Sequence, residues 1–201
     1  MPSSSNEPLP LRSQFLLNAS RSAVLMIDVQ EKLAPLVFGI EPVVQAAGSL
    51  LAGAKLLDVP ILASEQYPER LGGTVAPLAE FAVGCPTKRM FSSRECMGAW
   101  SEKLAPPRDT IVLCGIETHV CVQQTALDLL SEGWNVVIAA DAVSSRRRLD
   151  HDIALQRLLW CGCVITSVES ILFEWCETSK NEKFRELSAL IKTRPIDNSA
   201  M

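Results

Sequence analysis

The sequence predicts an α/β protein: a three-layer, doubly wound, Rossmann-like sheet, mostly parallel, with about six strands and helices on both faces. Three observations lead there. Short apolar runs bounded by turn residues alternate along the chain with longer stretches of helical periodicity. The candidate strands are apolar at nearly every position rather than at every second one, as expected of strands covered on both sides. No internal repeat, low-complexity segment or linker breaks the pattern, and 201 residues suit one core. The expected organisation is an irregular N-terminal tail over residues 1–22, one domain over 23–193, and a C-terminal tail over 194–201.

Taken in order, Ala23 to Ile27 is the first β-rich run and ends on an acid, Asp28. Pro35 argues against a long helix after Glu31. Glu41 to Asp58 is the clearest helix: Pro42 suits a first turn, and Val43, Ala47, Leu50, Ala54 and Leu57 recur on one face. Pro60 to Ser64 reads as a second buried strand, closed by a loop containing Tyr67, Pro68, Gly72 and Gly73. A short helix over Ala76–Phe81, a weak strand at Pro86–Lys88 and a helix from Ser93 to Leu104 follow, with Pro106 and Pro107 as a stop.

Thr110 to Cys114 is the next apolar strand. It runs through Gly115-Ile116-Glu117-Thr118-His119-Val120-Cys121-Val122 into helix-forming residues from Gln123 to Leu130. Asn135–Ala139 is a strand, Asp150–Trp160 a helix, Val164–Thr166 a brief strand and Val168–Trp175 a helix. Ser179 with Glu182 suggests a capping box before a last amphipathic helix carrying Phe184, Leu187, Leu190 and Ile191. The apolar Leu172, Phe173 and Trp175 admit two readings, core burial or an oligomer contact.

Hydrophobic residues make up 48% and charged residues 21% of the chain, the balance of an ordinary soluble globular protein. A net charge of −4 argues against a surface that binds nucleic acid by overall charge. No apolar run approaches the roughly 20 residues that span a bilayer. Seven scattered cysteines, an odd number, do not read as a secreted disulfide framework and fit a reducing compartment. The expected location is therefore the cytoplasm. Serines near the N-terminus, with Arg12 and Arg21, give the alternative of a mitochondrial transit segment, which Glu7 and the prolines weaken.

In doubly wound sheets, sites form beyond the carboxyl ends of strands where the strand order reverses. Asp28, Lys88 and Cys121 all follow or end predicted strands. Taken singly, each has an ordinary explanation as a turn acid, a solvated lysine or a core cysteine. Cys121 falls in the first turn of a helix, where unpaired N–H groups and the helix dipole favour a thiolate and can lower an ordinary thiol from about 8.5. His119, two residues away, offers a rival Cys-His dyad only if the segment is extended there. His151 lies at a helix start between Asp150 and Asp152, a solvated setting. Arg146-Arg147-Arg148 reads as a solvated loop or as a contact for an anionic substrate or nucleic acid.

Three segments then carry a resemblance. Leu25-Met26-Ile27-Asp28-Val29-Gln30, Thr87-Lys88-Arg89-Met90-Phe91-Ser92 and the Gly115–Val122 segment resemble, in order, the signature segments of the isochorismatase-like cysteine hydrolases. The likeness runs from about Ala23 to Trp175. It is closer to the little-characterised isochorismatase-domain group than to the metal-dependent nicotinamidases. The resemblance implies a hydrolase in which Asp28, Lys88 and Cys121 are the catalytic triad, acting on a small amide or related carbonyl compound through a thioester. It implies an oxyanion hole from the backbone N–H groups of Glu117 and Cys121, a cis peptide between Ile116 and Glu117, and a homo-oligomer.

Gln30, Phe91, Thr118 and His119, within these segments, and Phe38 and Tyr67, outside them, are the candidate lining of a substrate pocket. No metal and no cofactor is expected: Ser64-Glu65-Gln66-Tyr67-Pro68 lacks the histidines that nicotinamidases carry there, and Cys161-Gly162-Cys163 lacks the second pair of a structural zinc site. The partners expected are a small-molecule substrate and a second copy of the chain, with no membrane and with nucleic acid disfavoured. The alternatives are a non-catalytic binding or scaffold member of the fold and, less favoured, a nuclease-type protein.

Overall fold

A computed structural model describes residues 12–194; the possible targeting segment at residues 1–11 and the tail from residue 195 onward lie outside them. Six parallel strands form one sheet: β1 (Ser22–Ile27), β2 (Ile61–Gln66), β3 (Thr87–Lys88), β4 (Thr110–Ile116), β5 (Asn135–Ser144) and β6 (Val164–Thr166). Their spatial order is β3-β2-β1-β4-β5-β6. The chain winds outward from β1 to one edge, returns to the middle at β4, and winds outward to the other edge. The reversal therefore falls between β1 and β4, which pair from Ser22↔Thr110 to Ile27↔Gly115.

Why the strands are continuously apolar is visible in how their side chains divide. Val24, Met26, Val112 and Cys114 enter one core layer, while Ala23, Leu25, Ile27, Ile111 and Leu113 enter the other. Successive strand residues face opposite sides, and both sides are covered, so neither set can be polar. The first layer is closed by α1 (Ile40–Leu56), α5 (Val168–Cys176) and α6 (Phe184–Lys192). The second is closed by α3 (Gln123–Ser131), α4 (Arg148–Trp160) and the 3-10 segment Ser93–Trp100. A one-turn helix, α2 (Pro68–Leu71), follows β2. Among the described residues no helix is long and apolar enough to cross a membrane.

Several expectations are corrected. Residues Ser93–Trp100 and Ala76–Phe81 are 3-10 segments rather than α-helices. The fifth strand continues past Ala139 to Ser144, because its register against β4 shifts between Leu113 and Gly115 and pairing resumes at Gly115↔Val143. The proposed capping box is not used: α6 begins at Phe184, and the Asn181 side chain accepts from Lys183 N at 2.9 Å just before it. Trp175 is core rather than an oligomer contact. It is 2% exposed, and its ring N–H donates to Ser22 Oγ at 3.1 Å.

Candidate active site

The closest approach of the two central strands is set by one glycine. Gly115 has φ +115°, and a Cβ there would lie 2.1 Å from the Ile27 carbonyl oxygen, so only glycine permits this packing. Directly after Ile27 the chain turns through a left-handed residue, Asp28 (φ 51°), which points its carboxylate into the interior. Asp28 is fully buried. One oxygen accepts from Ser64 Oγ at 2.9 Å and the other from Lys88 Nζ at 2.6 Å.

Lys88 reaches this point from the edge strand β3 across β2. Its side chain is 0% exposed, against the sequence expectation for a lone lysine. Its ammonium group is held at 2.8 Å by Gln66 Oε1 and at 2.9 Å by the Phe91 carbonyl. Every donor of a buried ammonium needs an acceptor, and this one finds them. Gln66 is positioned in turn by Gln30: the Gln30 carboxamide accepts from Gln66 N at 2.8 Å and donates to the carbonyls of Gln66 and Gly72 at 3.0 and 2.7 Å. Gln30, a candidate pocket residue, is wholly buried and engaged in bracing the loop.

Cys121 comes from the other side of the strand reversal. After β4 the peptide joining Ile116 to Glu117 is cis. Thr118–Val122 forms a π-helical turn leading into α3. The thiol is buried, and the charges of Asp28 and Lys88 both act on it. A chain of buried groups closes the circle behind these residues. Ser64 Oγ lies 2.9 Å from Ser93 Oγ, Ser93 N donates to Thr125 Oγ1 at 2.8 Å, and Thr125 Oγ1 donates to the Cys121 carbonyl at 2.6 Å.

The ionisation of the thiol differs from the expectation drawn from its place at a helix start. Burial first, and then the negative charge of Asp28, push Cys121 up to about 12, against a smaller downward pull from Lys88. Asp28 is also raised, because desolvation outweighs its attraction to Lys88. The resting arrangement is a protonated thiol beside an Asp28 carboxyl of heightened basicity, rather than a free thiolate.

The remaining candidates separate into two groups. His119 does not pair with the thiol: its Nδ1 lies 2.9 Å from Ser145 Oγ and its Nε2 4.0 Å from Asp150. Because the segment is helical there, His119 and Cys121 point apart. Thr118 Oγ1 lies 2.9 Å from His151 Nδ1, so α4 braces the turn that carries Cys121. The Tyr67 ring lies under the Arg89 guanidinium at 3.3 Å. Phe38 and Phe91 are each about half exposed, at 55% and 53%.

Sequence reading missed the role of Arg146. It grips the Glu117 carboxylate through its guanidinium at 2.6 Å and its backbone N–H at 2.8 Å. Burial raises the Glu117 carboxyl, but the hydrogen bonds and charge of Arg146 outweigh that and hold it below its usual range. Ser64, Gln66, Ser93 and Thr125 were missed too. The signals available were the alternation of Ser64 and Gln66 along β2, and Thr125 one helical turn after Cys121. An apolar groove of about 540 Å³ lined by Ala34, Ile40, Val44 and Leu78 lies elsewhere and includes none of Asp28, Lys88 and Cys121.

Comparison with known proteins finds relatives of the chain. The isochorismatase domain family matches residues 22–170. The secreted isochorismatase effector Isc1 of Phytophthora sojae is 37% identical over 177 residues, covering 85% of this chain and 84% of its own. Isochorismatase domain-containing protein 2 of Danio rerio is 36% identical over 176 residues, with coverages of 87% and 89%. Among solved structures, the MAR1 ribonuclease from Caenorhabditis elegans is similar at a TM-score of 0.84 and 34% identity, over 92% of this chain and 97% of that one.

Proposed function

The chain belongs to the isochorismatase domain family, and we propose that within it the protein is a cysteine hydrolase of small amides or related carbonyl compounds. The observation that carries this reading is the fully buried Asp28 carboxylate, bonded to Lys88 at 2.6 Å and near enough to Cys121 for its charge to act on the thiol. A buried acid whose basicity is raised, beside a nucleophile that cannot ionise unaided, is the arrangement general-base catalysis requires.

Asp28 takes the thiol proton as sulfur attacks the carbonyl carbon, and returns it to the leaving nitrogen as the C–N bond breaks, leaving a thioester. Asp28 then takes a proton from water as water attacks the thioester carbonyl, and the proton passes back to sulfur as the acid departs. Lys88 keeps a positive charge beside Asp28 through both steps. The backbone N–H groups of Glu117 and Cys121, on the same turn, are the donors assigned to the oxyanion. One such donor is typically worth about 3 kcal/mol in the transition state. Phe38, Tyr67 and Phe91 are assigned to the walls of the substrate pocket, and residues 23–193 are taken as one catalytic domain.

The test is incubation with a panel of small amides, followed by intact-mass and peptide analysis, with Cys121→Ala and Asp28→Asn as controls. An acyl adduct on Cys121 that is absent from both variants is expected. Turnover that survives in Cys121→Ala overturns the reading.

A second reading, RNA hydrolysis, is favoured by one observation, the likeness to a protein described as a ribonuclease. Arg147 and Arg148 are exposed basic residues, but Arg146 is committed to Glu117 and the net charge is −4. Cleavage of labelled RNA by the purified chain that is lost in Cys121→Ala would support it over the amide reading.

A further inference from the structure

Behind Asp28 a chain of hydrogen bonds runs through the core, and the catalytic steps above use none of it. Ser64 Oγ donates to Asp28 Oδ1 at 2.9 Å and lies 2.9 Å from Ser93 Oγ. Ser93 N donates to Thr125 Oγ1 at 2.8 Å, and the Thr125 hydroxyl donates to the Cys121 carbonyl at 2.6 Å. Ser64, Ser93 and Thr125 are all buried. Hydroxyls in such a place cost stability unless each is paired, and these are.

The direction of the chain is fixed by its end. An ionised carboxylate only accepts, so the single Ser64 proton goes to Asp28 and the proton between the two serines comes from Ser93. Ser64 thus accepts from Ser93 while donating to Asp28, and a hydroxyl polarised in this way is a stronger donor. The backbone holds it in place, since Ser64 O accepts from Asp28 N at 3.1 Å. Lys88 takes the other carboxylate oxygen at 2.6 Å. Each oxygen keeps a further lone pair, open to the thiol proton.

We propose that Ser64, backed by Ser93, is a positioning residue that keeps the proton of the Asp28–Cys121 pair on sulfur until substrate arrives. This role rests on the reading of Asp28 as the base for Cys121 and adds what sets the resting state of that pair. A hydrogen bond from Ser64 favours the charged carboxylate. Burial raises the Asp28 carboxyl, and Lys88 chiefly, with Cys121 and Ser64, pulls against it. Without Ser64 the carboxyl binds a proton more tightly and draws it from sulfur more readily. Among the described residues, the other titratable groups that sense Asp28 are Cys85 and, in the 3-10 segment, Cys96. Burial pushes each up to about 11, so neither changes charge near neutral pH.

Iodoacetamide labelling of Cys121 in the full chain, read by peptide mass spectrometry from about pH 4 to about pH 9, tests this without any substrate. While the pair holds one proton, the share of thiolate depends on which partner has it and not on pH. In the native chain the rate should climb until Asp28 is charged and then level off, because the thiol itself titrates only at about 12. In Ser64→Ala the plateau should rise about tenfold and the pH at which it is reached should rise with it, by about one unit. Ser93→Ala should move both the same way by less. The double variant should match Ser64→Ala, since Ser93 acts only through Ser64. Ser64→Thr restores the hydroxyl and should restore the native profile. Circular dichroism checks folding, and if Ser64→Ala does not fold, the Ser93→Ala profile decides. An unchanged profile overturns the proposal. So does a higher plateau reached at the native pH, which marks an exposed thiol, or a Ser93 effect that persists without Ser64. Failure of the hydrolase reading shows separately, in the amide panel.

Discussion

At the scale of the residue, the controlling quantity is where the proton between Cys121 and Asp28 rests. The sequence placed Cys121 at a helix start, where dipole and free N–H groups lower a thiol. It could not reveal how deeply the sulfur is buried, nor that Asp28 faces it, and those two effects act in the opposite direction. Iodoacetamide near neutral pH is therefore expected to modify exposed Cys161 well before Cys121. Asp28→Asn removes the negative charge that keeps the thiol protonated. It should speed alkylation of Cys121 about tenfold for each unit its pKa falls, while abolishing turnover that needs the base. Peptide-resolved alkylation rates check this, and slower labelling in Asp28→Asn would refute the electrostatic account.

Lys88 gives the companion prediction. Removing one member of a buried ion pair typically costs about 3–5 kcal/mol, so Lys88→Met should lose roughly that much stability at pH 7. In the folded state Asp28 binds its proton more tightly than the ordinary value of 3.8. Stability thus declines as pH climbs from there through the folded value. Without Lys88 the folded value rises further, the window widens, and the deficit should shrink on acidification. Urea unfolding at pH 7 and pH 5 measures the difference, and an equal deficit at both values would count against a charged Asp28 as its source.

At the scale of the element, the site rests on the turn between β4 and α3 and on what props it. Its sequence announced itself through Gly115 and the switch from apolar run to helical composition, but the props are distant in sequence and could not be read. Arg146 stood in a run of three arginines, and nothing local distinguishes the one that grips Glu117 from the two that face water. Arg146→Ala keeps the backbone N–H bond from residue 146 but strips the guanidinium from a carboxylate that is only 7% exposed. The expected loss is about 1–3 kcal/mol, toward the lower end because the guanidinium is itself half in solvent. The sign with pH follows from a depressed carboxyl: the contribution is full above the unfolded value of 4.5 and fades as pH falls through the folded value. Thermal unfolding of the two proteins should therefore converge in acid and diverge toward neutrality. A gap that stays undiminished however far the pH is lowered would mean that Arg146 acts through packing instead.

At the scale of the whole molecule, the order β3-β2-β1-β4-β5-β6 explains how residues 28, 88 and 121 meet, and the alternation of apolar runs and helices made that architecture legible in advance. What the pattern could not show is how unequal the two ends of the sheet are. Strands β1, β4 and β5 are buried on both faces along their central residues. The strand β3 has two residues, pairs with β2 alone, and is flanked by 3-10 segments rather than full helices. Yet β3 carries Lys88, whose charge is tied to the centre of the molecule at Asp28. A short edge strand opens locally far more easily than a central ladder, so its amides exchange without global unfolding. Amides of residues 87–92 are expected to exchange with deuterium roughly a hundredfold or more faster than those of β1 and β4, an opening cheaper by about 3 kcal/mol. In Lys88→Met the edge loses its one ionic tie to the centre, so exchange over residues 87–92 should rise further while β4 and β5 follow only the change in global stability. Uniform protection across all six strands would mean that the edge and the centre open together, and that Lys88 is held by the cooperativity of the sheet rather than by its own pairing with Asp28.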